Sequence, residues 1–210
     1  MTVSLNPREA WGVVLWISYP LLIGTIAGIC MLYADWRQWY CSLRRAPWSP
    51  ASWVFNLVWP ILYCAMAVVG VLVYVEGDPG DPVMHVALAF HFAQIIFNGL
   101  WTPVFFFGRR IQLAFVMLVL TLVSSITATI LSAIVYPWTL FLYLPYVAWL
   151  LFALALNFFI VRYNDVGIHD KWFDLRPDYD NKPSQQQATD TSGVGLVADE
   201  AGASGSSTQQ

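Results

Sequence analysis

Residues 111–135 read IQLAFVMLVLTLVSSITATILSAIV. No Asp, Glu, Lys or Arg falls in this run. A helix needs roughly 20 mostly apolar residues to bridge a hydrocarbon core of about 30 Å, so the run predicts a membrane-spanning helix. Four more uncharged apolar stretches flank it, at about 10–32, 51–75, 84–106 and 139–161. Backbone polar groups in lipid must be satisfied within their own segment, and a barrel would need short alternating strands. The sequence therefore predicts an all-α membrane protein, a bundle of five transmembrane helices over 1–164, followed by an acidic, polar, disordered cytoplasmic tail over 165–210.

Composition supports this solvent. The chain is 58% hydrophobic and 11% charged, where soluble domains carry about 25% charged residues. Residues 1–164 have a net charge of +2 and residues 165–210 of −5. No basic patch with interleaved aromatics exists outside the loops, which argues against nucleic acid as a partner. Membrane lipid is the expected surroundings.

Orientation follows from the basic residues. Arg37, Arg44, Arg45, Arg109, Arg110, Arg162, Lys171, Arg176 and Lys182 all fall on one side of a five-span topology, and Arg8 alone on the other. This places the C-terminus in the cytoplasm and the N-terminus opposite. The connection 76–83 is acidic and rich in Gly and Pro, as a tight turn between spans should be.

The absences narrow the function. No span contains an acid or a base other than histidine, which argues against a proton relay, an ion-coupled transporter or a voltage sensor. His85 and His91 are six residues apart and point to different faces, so they do not form a metal pair. Cys30 and Cys64 read as small core residues. Gly24 and Gly28 form a small-xxx-small pair suited to internal helix packing.

The polar and aromatic residues inside the spans are the candidates for recognition. His91, Gln94, Asn98 and Trp101 recur at i, i+3, i+7 and i+10 and share one helix face. They read as interhelical hydrogen-bonding groups, or as the polar end of a ligand pocket. Asn56 and Asn157 read as interhelical glue. Of the 11 tryptophans, Trp11, Trp138 and Trp172 suit a headgroup belt. Trp59 and Trp149 lie half a span deep, where an indole N–H needs a partner. On these residues alone, interior packing and ligand contact both stand. Pro20, Pro60, Pro103 and Pro145 are expected to bend four of the helices and open space between them.

Three motifs then become recognisable together. The first is Trp39-Tyr40-x-x-Leu43-x-Arg45-x-x-Trp48-x-Pro50, leading into Phe55-x-x-Val58-Trp59-x-x-Leu62-Tyr63-x-x-Met66. The second is Gln94-x-x-x-Asn98-x-x-Trp101-x-Pro103-x-Phe105-Phe106. The third is Leu144-Pro145-Tyr146-x-x-Trp149-x-x-Phe152-Ala153-x-x-Leu156-Asn157, ending Arg162-x-Asn164. In this order and spacing they resemble the tryptophan-rich sensory protein/translocator protein family (TspO/MBR, the peripheral-type benzodiazepine receptors) over about residues 10–164.

The resemblance implies a five-helix bundle, commonly a homodimer, that acts as a receptor or carrier for porphyrins, haem and sterol-like lipids. It implies porphyrin or haem as the ligand and no required cofactor. Carried over by position, Trp59 and Trp149 match the pocket tryptophans, Asn98 and Trp101 match pocket residues of the third span, and Ala153 matches a small residue that affects ligand affinity. Tyr63 and Tyr146 occupy motif positions. The first loop, 33–50, would lid the pocket with Trp39 and Trp48. For a eukaryotic member the resemblance implies the mitochondrial outer membrane; the endoplasmic reticulum and a bacterial membrane are the alternatives. Two other functions stay open: light- or oxygen-dependent porphyrin breakdown through Trp59 and Trp149, and a structural membrane scaffold.

The chain also departs from the family pattern. Arg45-Ala46 stands where the family has Lys-Pro. Phe158 and Val161 stand where the mammalian sterol motif carries Tyr and Trp beside Arg162. Loss of that hydroxyl predicts tighter binding of porphyrin than of cholesterol.

Overall fold

A computed structural model describes residues 7–33 and 36–164 of the chain, with side chains placed for 10–31 and 36–164. The expected tail at 165–210 lies outside the described residues. Six α-helices form the fold: α1 (Pro7–Tyr33), α2 (Arg37–Ser42), α3 (Ser52–Glu76), α4 (Pro82–Thr102), α5 (Ile111–Val135) and α6 (Leu140–Tyr163). All but the short α2 belong to five stretches long and apolar enough to cross a membrane. No strand occurs among the described residues.

The helix boundaries have local causes. Asp81 caps α4, its Oδ1 accepting from the Val83 N–H at 2.9 Å, with Pro82 in the first turn. Proline suits that turn because its missing N–H would be unpaired there anyway. Pro20, Pro60 and Pro145 sit inside α1, α3 and α6, where a membrane helix tolerates them. Pro103 acts differently. It ends the α-helical part of α4, and the chain continues as one π-helical turn, Pro103–Phe107. Gly108 N–H closes that turn on the Pro103 carbonyl at 2.9 Å. The chain then reverses through Arg109, in the left-handed region at φ 51°.

The spanning helices form a ring in the order α1, α3, α6, α5, α4, with α4 returning to α1 and α3 also reaching α4 across the middle. Small residues make the α4–α5 contact close. Ala114, Thr121, Ser125, Ala128 and Ser132 are all buried. Three buried hydroxyls on α5 bond back to the carbonyl four residues earlier: Thr121 to Met117 at 2.8 Å, Ser125 to Thr121 at 2.7 Å and Thr129 to Ser125 at 2.7 Å. This pairs groups that would otherwise be unmatched in lipid.

The core runs through Met66, Val69, Val73, Ile95, Leu118, Tyr143, Tyr146 and Leu150. The outside is as apolar as the inside: Leu15, Leu22, Leu57, Val123, Ile130 and Leu151 are exposed. In water such a surface would aggregate; in a bilayer it is the solvent-facing surface.

Three expectations fail on this inside–outside question. Cys64 is exposed rather than a core residue, facing a wholly apolar groove of about 300 Å³ between α1 and α3. Asn56 is exposed rather than bonded between helices. Gly24 packs internally, beneath the Tyr63 ring, but Gly28 faces open space.

Candidate functional site

The site begins with a register. His91 Nδ1 and the Tyr143 hydroxyl lie 2.5 Å apart. One turn on, the Tyr146 hydroxyl donates to Gln94 Oε1, and Asn98 Nδ2 donates to the Tyr146 oxygen at 3.3 Å. Ser125 Oγ of α5 also lies 3.3 Å from Gln94 Oε1, sharing with it the proton it gives the Thr121 carbonyl. These pairings climb α4 and α6 together, so the two helices run parallel. The expected polar face of α4 is therefore a clasp: His91, Gln94 and Asn98 are all buried.

The same register places the indoles. Trp149 follows Tyr146 by one helical turn, and Trp101 follows Gln94 by two. The offset of 52 residues between partners sets Ala153 level with Trp101. Both indole nitrogens are buried and have no hydrogen-bond partner among the described residues. Gln94 Nε2 and both amide atoms of Asn157 are in the same condition. Asn157 was expected to bond between helices; it is buried in α6 without doing so.

Aromatic rings wall this region on the α3 side. Trp59 meets Trp149 edge to face, centroids 6.4 Å apart at 82°. Tyr63 lies one turn further along α3, 6.2 Å from Trp59. Phe55 and Phe152 flank Trp149 at 5.6 Å and 5.4 Å. Trp101 stacks on Phe105 at 5.1 Å and 19°.

The loop between α1 and α3 closes over these rings. Trp39 of α2 is buried against Phe105 at 5.4 Å. Trp48 is half-exposed and rests on Phe152 at 5.7 Å. Arg45 lies over the Tyr40 ring, 5.2 Å from its centroid, a cation–π contact that keeps a positive charge at this end.

All nine residues anticipated from sequence can be placed. Asn98 and Tyr146 touch directly. Trp59, Tyr63, Trp101 and Trp149 pack on one apolar cluster, and Trp48 joins it through Phe152. Trp39 reaches Trp101 through Phe105. Ala153 is partly buried on the stripe between Trp149 and Asn157. Sequence reasoning missed Phe55, Phe105, Phe152 and the unpaired state of Asn157. Phe152 had a signal, three residues from Trp149 on one face. Phe158, the altered sterol-motif position, points outward and is 55% exposed, so it belongs to the lipid-facing surface.

Chemically the arrangement offers flat apolar faces, indole and amide N–H donors without partners, and arginines at the adjacent bundle end. Such donors suit a bound carbonyl, carboxylate or ring nitrogen.

Comparison with known proteins agrees with this geometry. A model of the TspO/MBR family matches residues 16–162. The chain is 32% identical to the human "Translocator protein" over 142 residues, 68% of this chain and 84% of that one. It is 36% identical to the "Tryptophan-rich sensory protein" of Cereibacter sphaeroides, over 60% of this chain and 77% of that one. It is 34% identical to "Protein CrtK" of Rhodobacter capsulatus, over 60% and 78%. With five membrane-spanning helices and a match across all of them, the chain belongs to the TspO/MBR family of multi-pass membrane proteins.

Proposed function

We propose that this protein is a membrane receptor or carrier for a flat apolar ligand with acceptor groups at its edge, a porphyrin foremost. The ligand would lie between α3, α4 and α6, beneath the α1–α3 loop. One observation carries the reading: Trp101 and Trp149, on the parallel helices α4 and α6 that α5 separates, hold buried indole N–H groups without partners among the described residues. An unpaired buried donor costs about 1–3 kcal/mol, so a ligand acceptor that meets it gains that much in return. Indole and phenyl faces add roughly 0.5–1.5 kcal/mol for each aromatic pair.

The propionates of a porphyrin would turn toward the arginine end, near Arg44 and Arg45, where charge-assisted bonds form. A sterol would use the same apolar walls with a single hydroxyl. A sterol held instead on the outer face of α6 would find no hydroxyl partner at the outward Phe158, which favours porphyrin over cholesterol. The names carried by relatives, translocator and sensory protein, suit a protein that binds a small hydrophobic molecule and passes it on or reports it.

The basic end would face the cytoplasm, because Arg37, Arg44, Arg45, Arg109, Arg110 and Arg162 gather there while Glu76, Asp78 and Asp81 occupy the opposite connection. The mitochondrial outer membrane is the proposed site in a eukaryotic cell, and a homodimer the proposed assembly.

Titration of the purified protein with protoporphyrin tests the reading through tryptophan fluorescence. Quenching should saturate. Trp149→Phe keeps an aromatic face and removes the donor, and should weaken binding by about 5- to 150-fold, the 1–3 kcal/mol share of an unpaired buried donor. Trp59→Phe combined with Trp149→Phe should weaken it further. Saturable quenching unchanged in the double variant would place the ligand elsewhere, and non-saturable quenching would reject binding altogether.

A further inference from the structure

The last described residue of α6's C-terminal end makes a contact that the ligand reading does not use. Asn164 Oδ1 accepts from the Arg44 backbone N–H at 2.8 Å. Its Nδ2 donates to the Arg44 carbonyl at 3.0 Å and to the Ile160 carbonyl at 2.9 Å. Both faces of one amide are therefore spent on a loop 120 residues earlier and on its own helix. The donor and acceptor atoms match their partners, which fixes which end of the amide is which.

Position gives this contact its consequence. Arg44 lies midway between Trp39, buried on Phe105, and Trp48, resting on Phe152. Ala46, two residues on, is only 4% exposed, and a turn closed by Ser49 N–H on the Ala46 carbonyl at 2.9 Å leads to α3. The loop is thus held by ring contacts at both ends and by a directional polar clamp at its centre. Ring contacts tolerate sliding; a two-bond amide clamp does not. Phe152, beneath Trp48, is the neighbour of Trp149, so the loop cannot lift at Arg44 without uncovering the indole wall.

We propose that Asn164 is a positioning residue, a latch that holds the α1–α3 loop over the site and so sets how fast a ligand enters and leaves. The inference rests on the ligand reading above for its kinetic half and on the contact geometry alone for its structural half.

Three full-length proteins in lipid nanodiscs test it: wild type, Asn164→Ala and Asn164→Asp. Hydrogen exchange is followed on peptides covering Arg44, and protoporphyrin binding by stopped-flow tryptophan quenching. In Asn164→Ala, exchange at Arg44 should accelerate about fivefold or more, the loss of one ordinary hydrogen bond. Asn164→Asp keeps an acceptor for the Arg44 N–H but turns a carboxylate oxygen toward the Arg44 and Ile160 carbonyls, so it should retain only part of the protection. Association and dissociation of protoporphyrin should both accelerate in Asn164→Ala, leaving affinity nearly unchanged, as for a gate. The unfolding midpoint should fall only by the share of that same bond. A merely structural role would instead weaken binding without speeding association. Unchanged exchange at Arg44 in Asn164→Ala would overturn the latch. So would faster exchange with unaltered binding rates. If wild type shows no saturable quenching, the ligand reading fails, and the exchange result still decides whether Asn164 holds the loop.

Discussion

Replacing Tyr146 with Phe removes a single oxygen from the centre of the bundle. The ring stays, so no cavity opens and no apolar contact is lost. What disappears is the hydroxyl that donates to Gln94 Oε1 and accepts from Asn98 Nδ2. Side-chain hydrogen bonds between membrane helices are worth about 0.6 kcal/mol on average and about 1.7 at most. Two of them give about 1–3 kcal/mol. Gln94 Oε1 keeps Ser125 at 3.3 Å, which softens its loss, whereas Asn98 Nδ2 loses the partner that secures α4 to α6. The folded-to-unfolded ratio should therefore fall roughly 5- to 150-fold, at 1.4 kcal/mol per tenfold. The assay is reversible unfolding from mixed detergent micelles by added SDS, followed by far-UV circular dichroism. A cycle with Gln94→Leu should show a coupling of about 0.6–1.7 kcal/mol. Stability within about 0.3 kcal/mol of wild type, or strict additivity in the cycle, would refute the clasp as the element that sets the α4–α6 register.

Other consequences are equally direct. A Cβ on Gly24 would come within 2.7 Å of the Tyr63 ring, so Gly24→Ala should destabilise by about 1–3 kcal/mol. Gly28→Ala meets nothing within 4 Å and should be neutral or stabilising by about 0.5–1 kcal/mol in the same unfolding assay. Phe158→Tyr places a hydroxyl on the lipid-facing surface, and competition binding should show sterol affinity raised tenfold at most, with porphyrin affinity unmoved. Cys41 is exposed at the arginine end, so a membrane-impermeant maleimide should label it in sealed membranes whose cytoplasmic face is outward; protection until those membranes are permeabilised would reverse the orientation.

The five spans were legible because lipid imposes one requirement on every segment, and the charge-free runs meet it over nearly the same residues that the helices occupy. The polar face of α4 was legible for a related reason. His91, Gln94 and Asn98 have no water to turn to at that depth, so their shared face had to meet protein. Cys64 and Asn56 were misread because hydropathy separates core from water but not core from lipid. An apolar neighbourhood at residue 64 is equally consistent with either side of the helix. The break at Pro103 followed from its missing N–H, yet whether the chain would bend or open into a π turn depended on the residues beyond it. The pairing of Asn164 with Arg44 left no local trace, since its two halves lie 120 residues apart. The indole donors were visible as deep tryptophans, and only the packing showed that Trp101 and Trp149 lack partners while Trp36 Nε1 finds the Met31 carbonyl at 2.8 Å.

Ligand binding at this site turns on the Trp101 and Trp149 indole donors. Nitrogen-15 NMR of the indole groups, in protein reconstituted in nanodiscs and assigned through Trp101→Phe and Trp149→Phe, reads them directly. On titration with protoporphyrin, the Trp101 and Trp149 Nε1–H resonances should shift downfield together and saturate, as each donor gains an acceptor, while Trp11 and Trp138 at the exposed ends stay fixed. Saturable binding that leaves both the Trp101 and Trp149 resonances in place would contradict the account.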